Sequence, residues 1–127
     1  GTIDAITSDH SPYEIETKKI EFDNAAFGII GLESLFGLII KNLEKHLDLH
    51  QIIEKISSNP RNILGIQNHS IEEGNIANIT LFNPKIEWDF TEKNIISKSK
   101  NSPFIGEKLK GKALAIYNNN KFLELSI

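Results

Sequence analysis

The sequence has no cysteine. Disulfides and thiolate metal sites are therefore excluded. It also has no methionine and opens on Gly1-Thr2-Ile3, a pattern already under way, so it reads as a piece of a larger protein. Long apolar runs are missing. The apolar run Leu35 to Ile40 is far too short to cross a bilayer, and Lys41 and Glu44 follow it. Gly1-Thr2-Ile3-Asp4 lacks the basic opening of a signal peptide, so the cytoplasm is the default location. Charge of one sign is also missing. The formal net charge is −3, with acids and bases mixed along the chain. Without a basic stripe to release counterions, a nucleic-acid partner is disfavoured. No internal repeat or low-complexity tract interrupts the 127 residues.

What is present is globular. Hydrophobic residues make up 39% and charged residues 24%, so the chain is neither disordered nor membrane-spanning. The most pointed stretch is Ile6-Thr7-Ser8-Asp9-His10-Ser11-Pro12. Its apolar lead-in, Ile3 to Ile6, stops at an acid, an imidazole and a proline. Pro12 cannot continue a strand ladder, which places Asp9 and His10 at the C-terminal end of a strand over Gly1 to Thr7. That edge carries the chemistry in parallel α/β folds. An Asp after a strand is also a common turn former, bonding its own backbone.

The charged stretch Glu14 to Asn24 is long for a connection and reads as a functional loop. In Ala25 to Glu33, Gly28 and Gly31 precede a long apolar segment, which suggests close backbone packing. From Gly31 or Leu32 to Leu47 the spacing predicts a helix. Leu32, Leu35, Phe36, Ile39, Ile40, Leu43 and Leu47 share one stripe, of the width that packs on a sheet. Asp48 should cap a second helix, Leu49 to Ser57, and Pro60 should start a third that stops near Gly65. His46 and His50 straddle the break at Asp48 and read as solvent-facing rather than as a metal pair.

Beyond Gly65 the pattern becomes β. Glu72 to Asn75 is a turn, Ile76 to Phe82 alternates as a strand ended by Asn83-Pro84, and Ile86 to Phe90 alternates again. Lys112 to Tyr117 and Phe122 to Leu125 form a hairpin around the asparagines 118–120. Asn78 and Trp88 read as structural.

Four stretches, in order, resemble the C-terminal part of a dihydroorotase of the amidohydrolase superfamily. They are Ile6 to Pro12, Ala25 to Glu33, Asn59 to Gly65 with Glu73 to Asn78, and Ser97 to Gly106. The resemblance implies an α/β fold: the C-terminal piece of a TIM barrel, with its last strand and helices, then part of a small β-sandwich domain. Residues 1–66 would be the last barrel strand, the active-site loop and the C-terminal barrel helices, and residues 67–127 an antiparallel β module. The implied activity is the reversible hydrolysis of dihydroorotate to carbamoyl aspartate in pyrimidine biosynthesis. Zinc activates the attacking water in that family, and a carboxylate moves its proton to the leaving nitrogen. By resemblance Asp9 is the last metal ligand and that proton shuttle. His10 supports it from behind, and Ala26, Phe27 and Gly28 line the substrate through backbone groups.

The family's other ligands, an early His-x-His pair, a modified lysine and two later histidines, are expected upstream. Lys98 and Lys100 lie outside the barrel strands and are not assigned as that lysine. Position 13 is Tyr where many relatives have a histidine that holds the substrate carboxylate, and position 26 is Ala where Pro is common. A phenol donates one hydrogen bond but no positive charge. Two alternatives follow: an inactive dihydroorotase-like scaffold, or an allantoinase-like enzyme, whose relatives share Ser-Asp-His-Ser-Pro. The implied partners are a small-molecule substrate, the remainder of the barrel, and a second copy of the chain or a transcarbamoylase. A nucleic acid and a membrane are not among them.

Overall fold

The apolar stripe does form a helix, and that helix joins the two halves of the chain. In the computed structural model, which describes residues 2–125, a four-residue helix α1 (Ile15–Lys18) precedes α2 (Leu35–Leu43), which carries the stripe. A helical arm follows, α3 (Leu49–Ile53) and α4 (Asn59–Ile63), then strands β1 (Ile79–Asp89), β2 (Lys108–Asn118) and β3 (Lys121–Glu124). The strands make one antiparallel sheet in the order β1-β2-β3. Among the described residues no helix is long and apolar enough to cross a membrane.

One side of α2 buries Ile39 and Ile40 with Ile52 of α3, and Ile6, Leu35, Phe36, Leu43, Leu47 and Ile56 pack around them. Another side lies on β2. A Cβ at Gly37 would stand 2.9 Å from the Leu109 Cβ, so the missing side chain sets how near the helix comes to the sheet. The helix is shorter than predicted. Leu32 to Ser34 form a turn and Leu32 is exposed, because the N–H groups of Gly31 and Leu32 are drawn to the His10 ring. At the other end His46 and Leu47 fold back onto the Leu43 carbonyl, which frees Asp48 to cap α3.

That cap forms as expected. Asp48 Oδ1 accepts from the Gln51 N–H at 2.8 Å, and Gln51 Oε1 accepts from the Asp48 N–H at 3.0 Å. Asp48→Ala should lower unfolding free energy by about 1 kcal/mol, read as a shifted denaturant midpoint at unchanged slope. Pro60 lies in the first turn of α4 as expected, but α4 is not a separate helix. The arm runs on from α3 through a π-helical turn, Glu54–Ser58, into α4. Pro60 has no N–H for the carbonyl four residues back, and its ring would crowd it. Widening the preceding turn accommodates both. Gly65, at φ +66, closes the arm, with the Ile66 N–H on the Arg61 carbonyl.

The N-terminal stretch differs from the predicted strand. No ladder forms over its described residues, and the one bridge nearby is a parallel pairing of His10 with Ile29. A ladder needs neighbours, and the helical arm takes their place. The Ile6 N–H donates to the Lys55 carbonyl at 2.9 Å, Lys55 Nζ donates to the Ile3 carbonyl, and Asn59 Nδ2 donates to the Asp4 carbonyl.

Asn83-Pro84 does not end its strand either. Register shifts at Leu81/Phe82 and Asn83/Glu87 absorb the proline as an irregularity inside β1. The two alternating segments predicted around it are thus parts of one strand, which starts at Ile79 rather than Ile76 and ends at Asp89. The terminal hairpin turns on Asn119 and Asn120, with φ of 49 and 56, the pattern of a type I′ turn. Trp88 is structural as expected: its Nε1 donates to the Gly111 carbonyl at 3.0 Å. The second core joins Phe90, Ile95 and Leu109 to Ile30, from the loop before α2.

Candidate active site

Three segments distant in sequence meet around His10. The first is residues 9–13, the second the loop of residues 25–31, the third the stretch of residues 97–101. The bridge between His10 and Ile29 aligns the first two, with the Ser11 N–H on the Ile29 carbonyl at 2.8 Å. His10 Nδ1 accepts from the N–H groups of Gly31 at 3.1 Å and Leu32 at 3.3 Å. Two donors on Nδ1 make it the acceptor, so the proton of the neutral ring sits on Nε2. His10 therefore fastens the loop to the segment that presents Asp9.

Asp9 is exposed and takes φ 44, in the left-handed region. Few residues tolerate that conformation, and Asp and Asn are among them. The Ser11 hydroxyl donates to the Asp9 carbonyl at 3.1 Å and closes the turn. The turn-forming and catalytic readings of Asp9 are thus compatible: the backbone makes the turn and the carboxylate stays exposed.

Gly28 lies against the same segment. At φ +106 it has a backbone suited to glycine, and a Cβ there would meet the Ser11 Cβ at 2.5 Å and the Tyr13 ring at 3.5 Å. Gly31 is also tightly seated, since a Cβ there would stand 2.7 Å from the Ser8 carbonyl oxygen. Ala26 is half-buried and Phe27 exposed beside Gly28. The structure thus brings Tyr13 and Gly28 together, and His10 with the loop that carries Ala26 and Phe27.

Residues without a predicted role complete the arrangement. Asn101 Nδ2 donates to the Gly28 carbonyl at 3.1 Å and the Ser11 carbonyl at 3.4 Å, and its own carbonyl accepts the Ile30 N–H at 3.1 Å. Ser99 Oγ donates to the Tyr13 carbonyl at 2.7 Å. Glu33 Oε1 accepts the Ser97 N–H at 2.8 Å. Lys18 Nζ donates to the Ala26 and Gly28 carbonyls. The polar pattern Ser97-x-Ser99-x-Asn101 was a sequence signal for the clamp, but nothing local named its partners. Among the described residues no three His, Asp or Glu side chains converge as a metal site. His50 is solvent-facing as predicted, its side chain 82% exposed.

No family model matches the chain. Curated relatives do. The chain is 47% identical over 125 residues to the dihydroorotase of Chlorobaculum tepidum, a match covering 97% of this chain and 28% of that protein. It is 39% identical over 126 residues to the dihydroorotase of Caldicellulosiruptor saccharolyticus, covering 98% of this chain and 29% of that one. The chain thus spans a little over a quarter of the length of the curated relatives it matches. Among solved structures, an L-hydantoinase (dihydropyrimidinase) from Arthrobacter aurescens superposes with a TM-score of 0.85 at 23% identity, over 98% of this chain and 29% of that one. At that identity the likeness shows the fold.

Proposed function

The chain is dihydroorotase-like over nearly its whole length, and we propose on that basis that it is the C-terminal portion of a dihydroorotase. The fold of this portion would be the last strand and helices of an amidohydrolase TIM barrel, residues 1–66, followed by part of a small β-sandwich domain, residues 67–127. The complete enzyme would work in the cytoplasm and interconvert carbamoyl aspartate and dihydroorotate. One observation carries the reading: Asp9 is exposed on a segment bridged directly to the glycine loop through His10 and Ile29.

In this reading Asp9 takes the proton of the attacking water and returns it to the ring nitrogen as the amide opens. His10 holds the loop in register with Asp9. Of the loop residues Ala26, Phe27 and Gly28, the last two would offer backbone N–H groups to the substrate, since the Ala26 N–H and carbonyl are held by Thr17 and Lys18, and the Tyr13 phenol would donate to its carboxylate. Asp9 suits zinc as a carboxylate ligand, but one donor cannot hold the metal, so in this reading the remaining ligands would come from the rest of the enzyme. When bound, zinc would supply Lewis-acid activation.

The test is zinc content and dihydroorotate turnover of the full-length protein. Stoichiometric zinc with turnover is expected. Zinc without turnover would redirect the search to another cyclic amide, allantoin first. Neither zinc nor turnover would bring forward the second reading, an inactive scaffold for a transcarbamoylase or for a second copy. Tyr13 favours that reading, since it brings no charge to a carboxylate.

A further inference from the structure

We propose that Lys18 is a positioning residue that sets the affinity of the glycine loop for a carboxylate-bearing ring. The inference rests on the functional reading above and adds a residue to it. Helix α1 is four residues long, buries none of them, and ends on Lys18. Its attachment to the loop is specific. The Ala26 N–H donates to the Thr17 carbonyl at 3.0 Å, and Lys18 Nζ reaches back to the Ala26 and Gly28 carbonyls, the second at 2.9 Å. The ammonium is half-buried and stands 5.9 Å from the centre of the Tyr13 ring.

The geometry has a consequence on the far side of the loop. No peptide bond among the described residues is cis. In a trans peptide the N–H points opposite the C=O. With the Ala26 carbonyl turned to Lys18, the Phe27 N–H is turned away from it. Among the described residues that N–H meets no backbone acceptor. A cation on the carbonyl oxygen also polarises the peptide and strengthens the N–H as a donor. Lys18 thus aims and sharpens a donor suited to an anion, and adds a positive charge behind a site where Tyr13 supplies none. The dihydroorotate ring carries one carboxylate, which is the group such a donor would hold.

The experiment is steady-state hydrolysis of dihydroorotate by the full-length protein and its Lys18→Gln and Lys18→Arg variants. Inhibition by dihydrouracil, the same ring without the carboxylate, is measured alongside. Lys18→Gln should raise KM about tenfold, the scale of one charge-assisted hydrogen bond, with kcat changed less than about twofold. Lys18→Arg should restore most of the KM, and inhibition by the neutral ring should hardly move. An unchanged KM in Lys18→Gln, a fall in kcat at constant KM, or an equal loss for the neutral ring would overturn the inference and leave the functional reading standing. A wild-type protein without dihydroorotate turnover would remove the functional reading, and this inference with it.

Discussion

Asp9→Asn in the full-length protein should lower turnover of dihydroorotate by about 10²- to 10⁴-fold, the range of a lost general acid–base group. The fold should survive the change. Asp9 sits at φ 44, and Asn accepts the left-handed region at least as readily as Asp, so the turn keeps its geometry. The Ser11 hydroxyl bonds the Asp9 carbonyl rather than its side chain, and that contact also remains. What disappears is a negative charge and a proton acceptor. An unchanged thermal midpoint would show that the loss is chemical. Zinc content then separates the two roles assigned to Asp9. Lost turnover with retained zinc marks the proton shuttle, and lost zinc marks the ligand. Near-wild-type turnover would take Asp9 out of the mechanism.

The parts legible in the sequence were those decided by local chemistry. Leu35, Phe36, Ile39, Ile40 and Leu43 recur at helical spacing, and Ile39 and Ile40 are buried with the others packed around them. Asp48 was legible as a helix cap and forms one, with Gln51 completing a capping box. Asn119 and Asn120 of the last turn suit positive φ and adopt it. The misreadings share another cause. Ile3 to Ile6 has the composition of a strand, but pairing is a property of neighbours, and the helical arm docks there instead. Pro84 forbids one ladder bond, not a whole strand, and a register shift absorbs the defect.

The site divides in the same way. Asp9 and His10 stood out because an apolar run stops at them. Asn101 and Lys18 did not, since an amide and an ammonium acquire meaning only from the carbonyls they meet. For Asn101 and Gly28 those groups lie 73 residues apart in sequence.

Gly28 is also the position where a single methyl group should do most harm. Gly28→Ala adds two costs. The backbone at φ +106 strains any residue with a Cβ, by about 1–3 kcal/mol. The added carbon would also lie 2.5 Å from the Ser11 Cβ and 2.9 Å from its Oγ, far inside contact distance. Ser11 is fixed between the Ile29 and Asp9 carbonyls, so the loop has to give way. Parting it from the residues 9–13 segment shifts Asp9 relative to the backbone N–H groups of Phe27 and Gly28. A displacement near 1 Å costs about 10²-fold in rate. Gly74→Ala is the matched control. Its φ of +89 carries comparable strain, but nothing stands within 4 Å of the added carbon. Both variants should lose stability, and Gly28→Ala alone should lose about 10²-fold in kcat/KM for dihydroorotate. Equal activity in the two variants would mean that the loop's seat against Ser11 has no part in catalysis.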